Sequence, residues 1–181
     1  TFSHICRASH QVNQSSGDSV RMTVTNYETL VANATRRALQ AGEDYVVPRV
    51  SDLEALMASS SGKIEIESIE EGRDGQIVNQ MLKAAVLEVF KSRFSPEDLV
   101  AVVDSFDEGI VAHTGDDIGS DEYADLLAGN AALGEAVSEL TDSAEPADLA
   151  SAVELILEGL HLSKRLNKEA LGVRATYRGR G

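Results

Sequence analysis

The feature that most constrains the fold of this chain is apolar residues repeated at helical spacing. Over residues 76–93 they recur every three or four positions, at Val78, Leu82, Ala85, Val86, Val89 and Phe90. That period matches one face of an α-helix. From Ser143 to about Ala170 apolar side chains occupy two faces of a predicted long helix, a pattern typical of a helix at the centre of a bundle. The sequence therefore predicts a mainly α fold with at most short strands.

Helix start signals divide the chain further. Two capping boxes, in which a hydroxyl residue precedes a glutamate by three positions, begin at Thr25 and Ser51. Further starts are predicted at Ser95, which precedes a proline, and at Ser120. Gly42 is the expected left-handed cap of the helix that follows Thr25. Short strands are possible at 63–67 and 110–113.

A glutamate- and glycine-rich stretch at 65–75 is the best candidate for a domain boundary. The prediction is therefore a helical unit at 1–67 and a second helical unit at 76–181. The basic tail, with Arg174, Arg178 and Arg180 around Tyr177, is expected to be a solvated, frayed terminus.

Composition excludes several classes of function. The net charge is −14, from 30 acidic and 16 basic side chains, so nucleic acid and anionic lipid are disfavoured as partners. No apolar run approaches the ~20 residues of a membrane span. The single cysteine, Cys6, cannot form an intramolecular disulfide and fits a cytosolic protein. A start at Thr1 without an initiator methionine suggests a fragment of a longer protein, although a trimmed chain would look the same.

Motifs for catalysis or metal binding are weak. The nearest approach to a phosphate-binding loop is 57–64, where Met57 replaces the first glycine and Ile64 replaces the hydroxyl that holds Mg²⁺. The residue types of His4, Cys6 and His10 suit a metal, but their spacing scatters them around a helix. We therefore predict neither catalytic residues nor a metal site. The acidic groups at 104–108 and 116–122 lack the pattern of a calcium loop and are expected to form a solvated face.

One segment carries a family resemblance. In residues 13–39, a Ser16-Gly17 turn precedes Arg21, and a predicted helix then begins at Thr25. This segment resembles the lid subdomain of MoxR-like and magnesium-chelatase-subunit-I-like AAA+ ATPases. The resemblance implies that Arg21 is the sensor-2 arginine and that Gly17 lies in the turn beside the nucleotide. It continues through 47–53 and, more loosely, through the later helices.

The resemblance implies an AAA+ lid subdomain at 1–67 followed by a C-terminal helical bundle at 76–181. The longer parent protein would bind ATP and Mg²⁺ through its own upstream ATPase core. It would form a homo-oligomeric ring, a hexamer, in the cytoplasm, with a von Willebrand factor A-domain protein as a possible partner. Arg36 and Arg37, on the helix after the sensor, are expected to make surface or subunit contacts.

An alternative of a different class stays open, namely a free-standing helical interaction module with no nucleotide role. The missing phosphate-binding motifs favour this alternative for the chain taken alone. The coding sequence upstream of Thr1 would distinguish the two.

Overall fold

The computed structural model describes residues 19–60, 74–95 and 97–181, and the side chains of 23–57, 75–95 and 97–181. Seven α-helices and three strands lie in these residues, so the predicted mainly α fold with short strands is confirmed. In chain order the elements are α1 Ser19–Ala41, a 3₁₀ turn Ser51–Glu54, α2 Ala55–Ser60, α3 Asp74–Lys91, α4 Val100–Asp107, β1 Ala112–Gly115, α5 Ser120–Ala128, α6 Ala131–Ser138, α7 Pro146–Leu162, β2 Asn167–Leu171 and β3 Arg174–Arg178.

Helix α7 lies at the centre of the main core. Ten of its 17 residues are buried, and it packs against α3, α5 and α6. The apolar residues on two of its faces explain this position, because each face covers a different neighbour. Gly159 lets α3 approach closely, since a Cβ at this position would overlap the ring of Phe90.

A second, smaller core joins the N-terminal helices to α3. Its buried members are Leu56, Val78, Met81 and Leu82, with Leu30 and Leu53 packed against them. Helix α3 thus uses one face for α2 and another for α7. The predicted boundary at 65–75 lies almost entirely outside the described residues.

Strand β1 and the two C-terminal strands form a small antiparallel sheet of order β1-β3-β2. Ala112 pairs with Tyr177, and Gly115 pairs with Arg174. A Cβ on Gly115 would overlap the carbonyl oxygen of Val173, so only glycine fits there. The predicted strand at 110–113 is thus found two residues later, at Ala112–Gly115.

Two predictions about the C-terminal region were wrong. The long helix predicted to reach Ala170 ends at Leu162, and Lys164 then adopts a left-handed conformation with φ 60° that turns the chain. The tail expected to be frayed is the middle strand of the sheet, with Tyr177 only 2% exposed. Alternate residues Ala175 and Tyr177 face the core, which is why this basic segment is ordered.

The helix start signals had mixed outcomes. Helix α1 begins at Ser19, so Thr25 lies inside it and does not cap it. Ser51 does not cap the 3₁₀ turn, which has no side-chain cap. Helix α5 does begin at Ser120. The helix predicted to start at Ser95 begins instead at Val100, although the backbone N–H of Ser95 does donate to a carboxylate oxygen of Asp98 at 2.6 Å. Gly42 has φ 72° immediately after α1, as predicted.

Candidate functional site

The two nucleotide-site residues predicted from the resemblance are only partly described. Gly17 lies outside the described residues, as do His4, Cys6 and His10. The backbone of Arg21 lies in the first turn of α1, while its side chain is outside the described part of the structure.

The opposite end of α1 enters a buried ionic cluster, which we call the junction and which consists of Arg37, Glu43, Arg49, Asp52 and Ser120. Arg37, Arg49 and Asp52 are at most 2% exposed. The Asp52 carboxylate accepts hydrogen bonds from Arg37 Nε at 3.2 Å and Nη2 at 3.1 Å. It also accepts from the backbone N–H of Arg49 at 2.8 Å. Because buried charges are costly unless paired, this carboxylate organises the loop after α1.

The other half of the junction reaches α5. Arg49 donates to the carbonyl oxygen of Ile118 at 2.8 Å and to Glu43 Oε1 at 3.1 Å. Glu43 Oε1 also accepts from the backbone N–H of Ser120 at 2.7 Å. Burial alone would raise the pKa of Glu43, but the Ser120 hydrogen bonds and the two arginines outweigh it and hold that pKa below its usual value. The loop after α1 is thus bonded to the start of α5.

The expectation that Arg37 makes surface or subunit contacts was therefore wrong. Arg37 is fully buried, and its guanidinium is held by Asp52, Glu43 and the carbonyl oxygen of Val47. Arg36 does lie at the surface and pairs with Asp116 at 2.7 Å. Adjacent arginines on a helix point about 100° apart, so only one of the two could face the core.

A second polar group lines a cavity of about 370 Å³ between the 3₁₀ turn, α3, α7 and the sheet. Two buried glutamates, Glu154 and Glu158, lie one helical turn apart on α7. Glu154 accepts from the hydroxyl of Tyr123 at 2.5 Å and from the backbone N–H and hydroxyl of Ser51 at 2.7 and 3.1 Å. These bonds explain why Ser51 does not cap its own helical turn, since its hydroxyl donates to Glu154 of α7 instead.

Glu158 has a different set of partners. Its Oε2 accepts from the ammonium group of Lys168 at 2.7 Å and from the hydroxyl of Tyr177 at 2.6 Å. The Lys168 ammonium also lies 5.5 Å from the centre of the Tyr177 ring, within range of a cation–π contact. Through these contacts α7 holds both β2 and β3.

The two glutamates have pKa values shifted in opposite directions. Burial raises the pKa of Glu154 above its usual value, despite the donors around it. Burial also opposes ionisation of Glu158, but Lys168 and the Tyr177 hydroxyl outweigh it and lower that pKa. Burial and the neighbouring carboxylates raise the pKa of Tyr123 and Tyr177, so both hydroxyls stay protonated donors.

These shifts predict two opposite effects of pH on the free energy of unfolding. Folded Glu154 binds its proton more tightly than the unfolded chain does, so its contribution falls as pH rises from 4.5 through its raised pKa. Folded Glu158 binds its proton more weakly, so its contribution is complete above 4.5 and is lost as pH falls through its lowered pKa. Urea unfolding across a pH series should show that the free energy of unfolding declines above pH 4.5, and Glu154→Gln should remove that decline. The free energy of unfolding should also decline at acidic pH, and Glu158→Gln should reduce that second decline. Parallel curves for all three proteins would contradict these assignments.

The junction and the glutamate pair connect α1, the 3₁₀ turn, α5, α7 and the sheet. Both involve residues on each side of the predicted domain boundary. Within the described ranges, no three histidine, cysteine or carboxylate side chains converge as a metal site would require.

Neither polar group was predicted from the sequence, although the glutamate pair had a local signal there. Glu154 and Glu158 stand four residues apart within an apolar helix pattern, and two carboxylates on a buried helix need partners. The junction had no comparable local signal, because Arg49 and Ile118 are 69 residues apart.

Among the described residues, no helix combines the length and the apolar character needed to cross a membrane. Comparison with known proteins gave no match, whether against family models, curated proteins or solved structures.

Proposed function

We propose that this chain is the lid subdomain and C-terminal helical part of a MoxR-like or magnesium-chelatase-like AAA+ ATPase. In this proposal it is a coupling element that does not itself catalyse hydrolysis. The sequence resemblance in 13–39 and 47–53 supports the family, and the position of a sensor-like arginine in the first turn of a long helix supports the role. ATP and Mg²⁺ would be held by an upstream core, in a cytoplasmic hexameric ring that remodels a client or inserts a metal into it.

The observation that carries the coupling role is the position of α1. Arg21 lies near its start and Arg37 lies in the buried junction, 16 positions later. At about 1.5 Å per residue, that helix spans about 24 Å between them. A helix anchored by buried ion pairs moves with the elements it is bonded to, so a displacement at Arg21 would move α5 and α7 as well.

The chemistry proposed for Arg21 follows from its guanidinium group. This group is always charged, and its forked donors match phosphate oxygens. On a lid, such a contact couples the presence of a phosphate to closure of the lid on the core. The segment at 57–64 lacks the glycine and hydroxyl of a phosphate loop, so within 1–181 Arg21 is our candidate for direct nucleotide contact.

Replacing Arg21 with alanine in the full-length parent is expected to lower ATP turnover about 10- to 100-fold. The lost hydrogen bond to a charged group is worth roughly 1.5–3 kcal/mol, and each ~1.36 kcal/mol is tenfold in rate. The melting temperature should hardly change. Arg36→Ala is the matched control, because Arg36 is exposed on the same helix and pairs only at the surface. Steady-state ATPase rates and thermal melts of the three proteins provide the measurement.

Two outcomes would count against this proposal. Turnover at the parent's rate in Arg21→Ala would show that Arg21 is not the sensor. A parent protein with no phosphate-binding loop upstream of Thr1 would favour the free-standing interaction module instead.

A further inference from the structure

A long part of the chain is free of basic residues. From Phe94 to Ser163 there is no lysine or arginine, but there are 17 aspartates and glutamates. This stretch forms α4, β1, α5, α6 and α7. Basic residues from elsewhere in the chain pair with Asp116, Asp117 and Glu158. In the described part of the structure, no ion pair reaches Glu135 of α6 or Glu139, which follows that helix.

A groove of about 430 Å³ lies within this acidic region, between α6 and residues 93–94 and 98–102. Its lining is apolar at Phe94, Leu99, Ala101, Val102, Ala132 and Ala136. Asp98, Glu135 and Glu139 add three negative charges, and Arg93 is the one cation among the lining residues. Phe94, Leu99, Val102 and Ala136 are buried beneath the groove, so its exposed apolar surface comes from Ala101 and Ala132, beside a negative rim.

The two glutamates at the rim are in electrostatically unfavourable positions. Glu135 and Glu139 lie four residues apart, the spacing at which like charges on a helix repel. Glu139 immediately follows the last residue of α6, where the negative end of the helix dipole disfavours an anion. Both are exposed and both lack an ion-pair partner in the described residues. Cations supplied from outside would relieve both repulsions.

We propose that this groove docks a basic, amphipathic helical segment of a partner protein. Such a segment would place small apolar side chains against Ala101 and Ala132, and lysine or arginine against Glu135 and Glu139. Charge complementarity selects this occupant, since a nucleic acid or an anionic membrane would be repelled. The proposal does not depend on the AAA+ assignment.

The test is fluorescence anisotropy of the full chain with a labelled synthetic amphipathic helix of alanine and lysine. A second peptide, with glutamate in place of each lysine, controls for apolar binding. The double variant Glu135→Lys/Glu139→Lys should weaken binding of the lysine peptide at least about tenfold, equivalent to ~1.4 kcal/mol. The matched control is Asp121→Lys/Asp125→Lys, which makes the same charge change on exposed residues of α5 and should weaken binding less than about threefold. Circular dichroism confirms that each variant keeps its helices.

Several results would overturn the proposal. Equal weakening by the two double variants would indicate a general attraction to negative charge. The proposal also fails if the lysine peptide does not bind, or if the glutamate peptide binds equally well. Self-association that Glu135→Lys/Glu139→Lys abolishes, without peptide binding, would identify a second copy of the chain as the occupant instead.

Discussion

Replacing Asp52 with alanine is expected to lower the free energy of unfolding by about 3–5 kcal/mol, because it leaves the buried guanidinium of Arg37 without its nearest counter-charge. Asp52 is fully buried and accepts from Arg37, Asn33 and the backbone of Arg49. For a chain of this size, each kcal/mol corresponds to roughly 2–4 °C in the melting temperature. Urea and thermal unfolding monitored by circular dichroism would measure the loss.

The matched control is Arg36→Ala, which breaks an exposed pair with Asp116 and should cost less than about 1 kcal/mol. The double variant Arg37→Leu/Asp52→Leu should be less destabilised than the sum of its two single changes, because removing both partners leaves fewer unpaired charges. A loss for Asp52→Ala no larger than that for Arg36→Ala would show that the junction does not hold the protein together as proposed.

The elements best predicted from the sequence are those defined by local spacing. The helix predicted at 76–93 corresponds to Asp74–Lys91, and the helix predicted from Ser143 corresponds to Pro146–Leu162. In both helices apolar residues recur on one face over several turns, and such a face must be buried whatever the arrangement of the other elements. The central position of α7 followed from its wide apolar surface for the same reason.

The predictions that failed are those in which a distant partner overrode a local motif. Ser51 has the sequence of a capping box, but it donates to Glu154, 103 residues away. Arg37 looked like a surface residue because nothing near it in sequence indicated Asp52 as its buried partner. The basic tail is ordered because the hydroxyl of Tyr177 donates a hydrogen bond to Glu158, and because Tyr177 lies in β3, which pairs with both β1 and β2. Pairings over such separations leave no periodic trace in a single sequence.

The close approach of α3 and α7 yields the second large effect that we expect. Phe90→Ala should lower the free energy of unfolding by about 3–5 kcal/mol, because it removes a buried ring and leaves a cavity. Phe90 is 3% exposed and lies against the backbone of Gly159. Gly159→Ala should cost about 1–3 kcal/mol alone, because its new methyl group would overlap the ring and force the helices apart.

The combination of the two changes distinguishes a local steric contact from a general weakening of the core. In the Phe90→Ala protein the blocking ring is absent, so Gly159→Ala should no longer destabilise. It should instead raise the free energy of unfolding by about 0.5–1 kcal/mol, because alanine has a better helix propensity than glycine.

Gly134→Ala on α6 is the control, because its Cβ would meet nothing within 4 Å. That variant should be stabilised by a similar amount, about 0.5–1 kcal/mol, in either background. Urea unfolding of the four proteins of the cycle gives the coupling energy between residues 90 and 159. Since Gly159→Ala costs free energy in the parent and gains it in the Phe90→Ala protein, this coupling is expected at roughly 1.5–4 kcal/mol. If the costs of Phe90→Ala and Gly159→Ala simply add, the ring of Phe90 does not lie against Gly159, and α3 and α7 cross elsewhere along the helices.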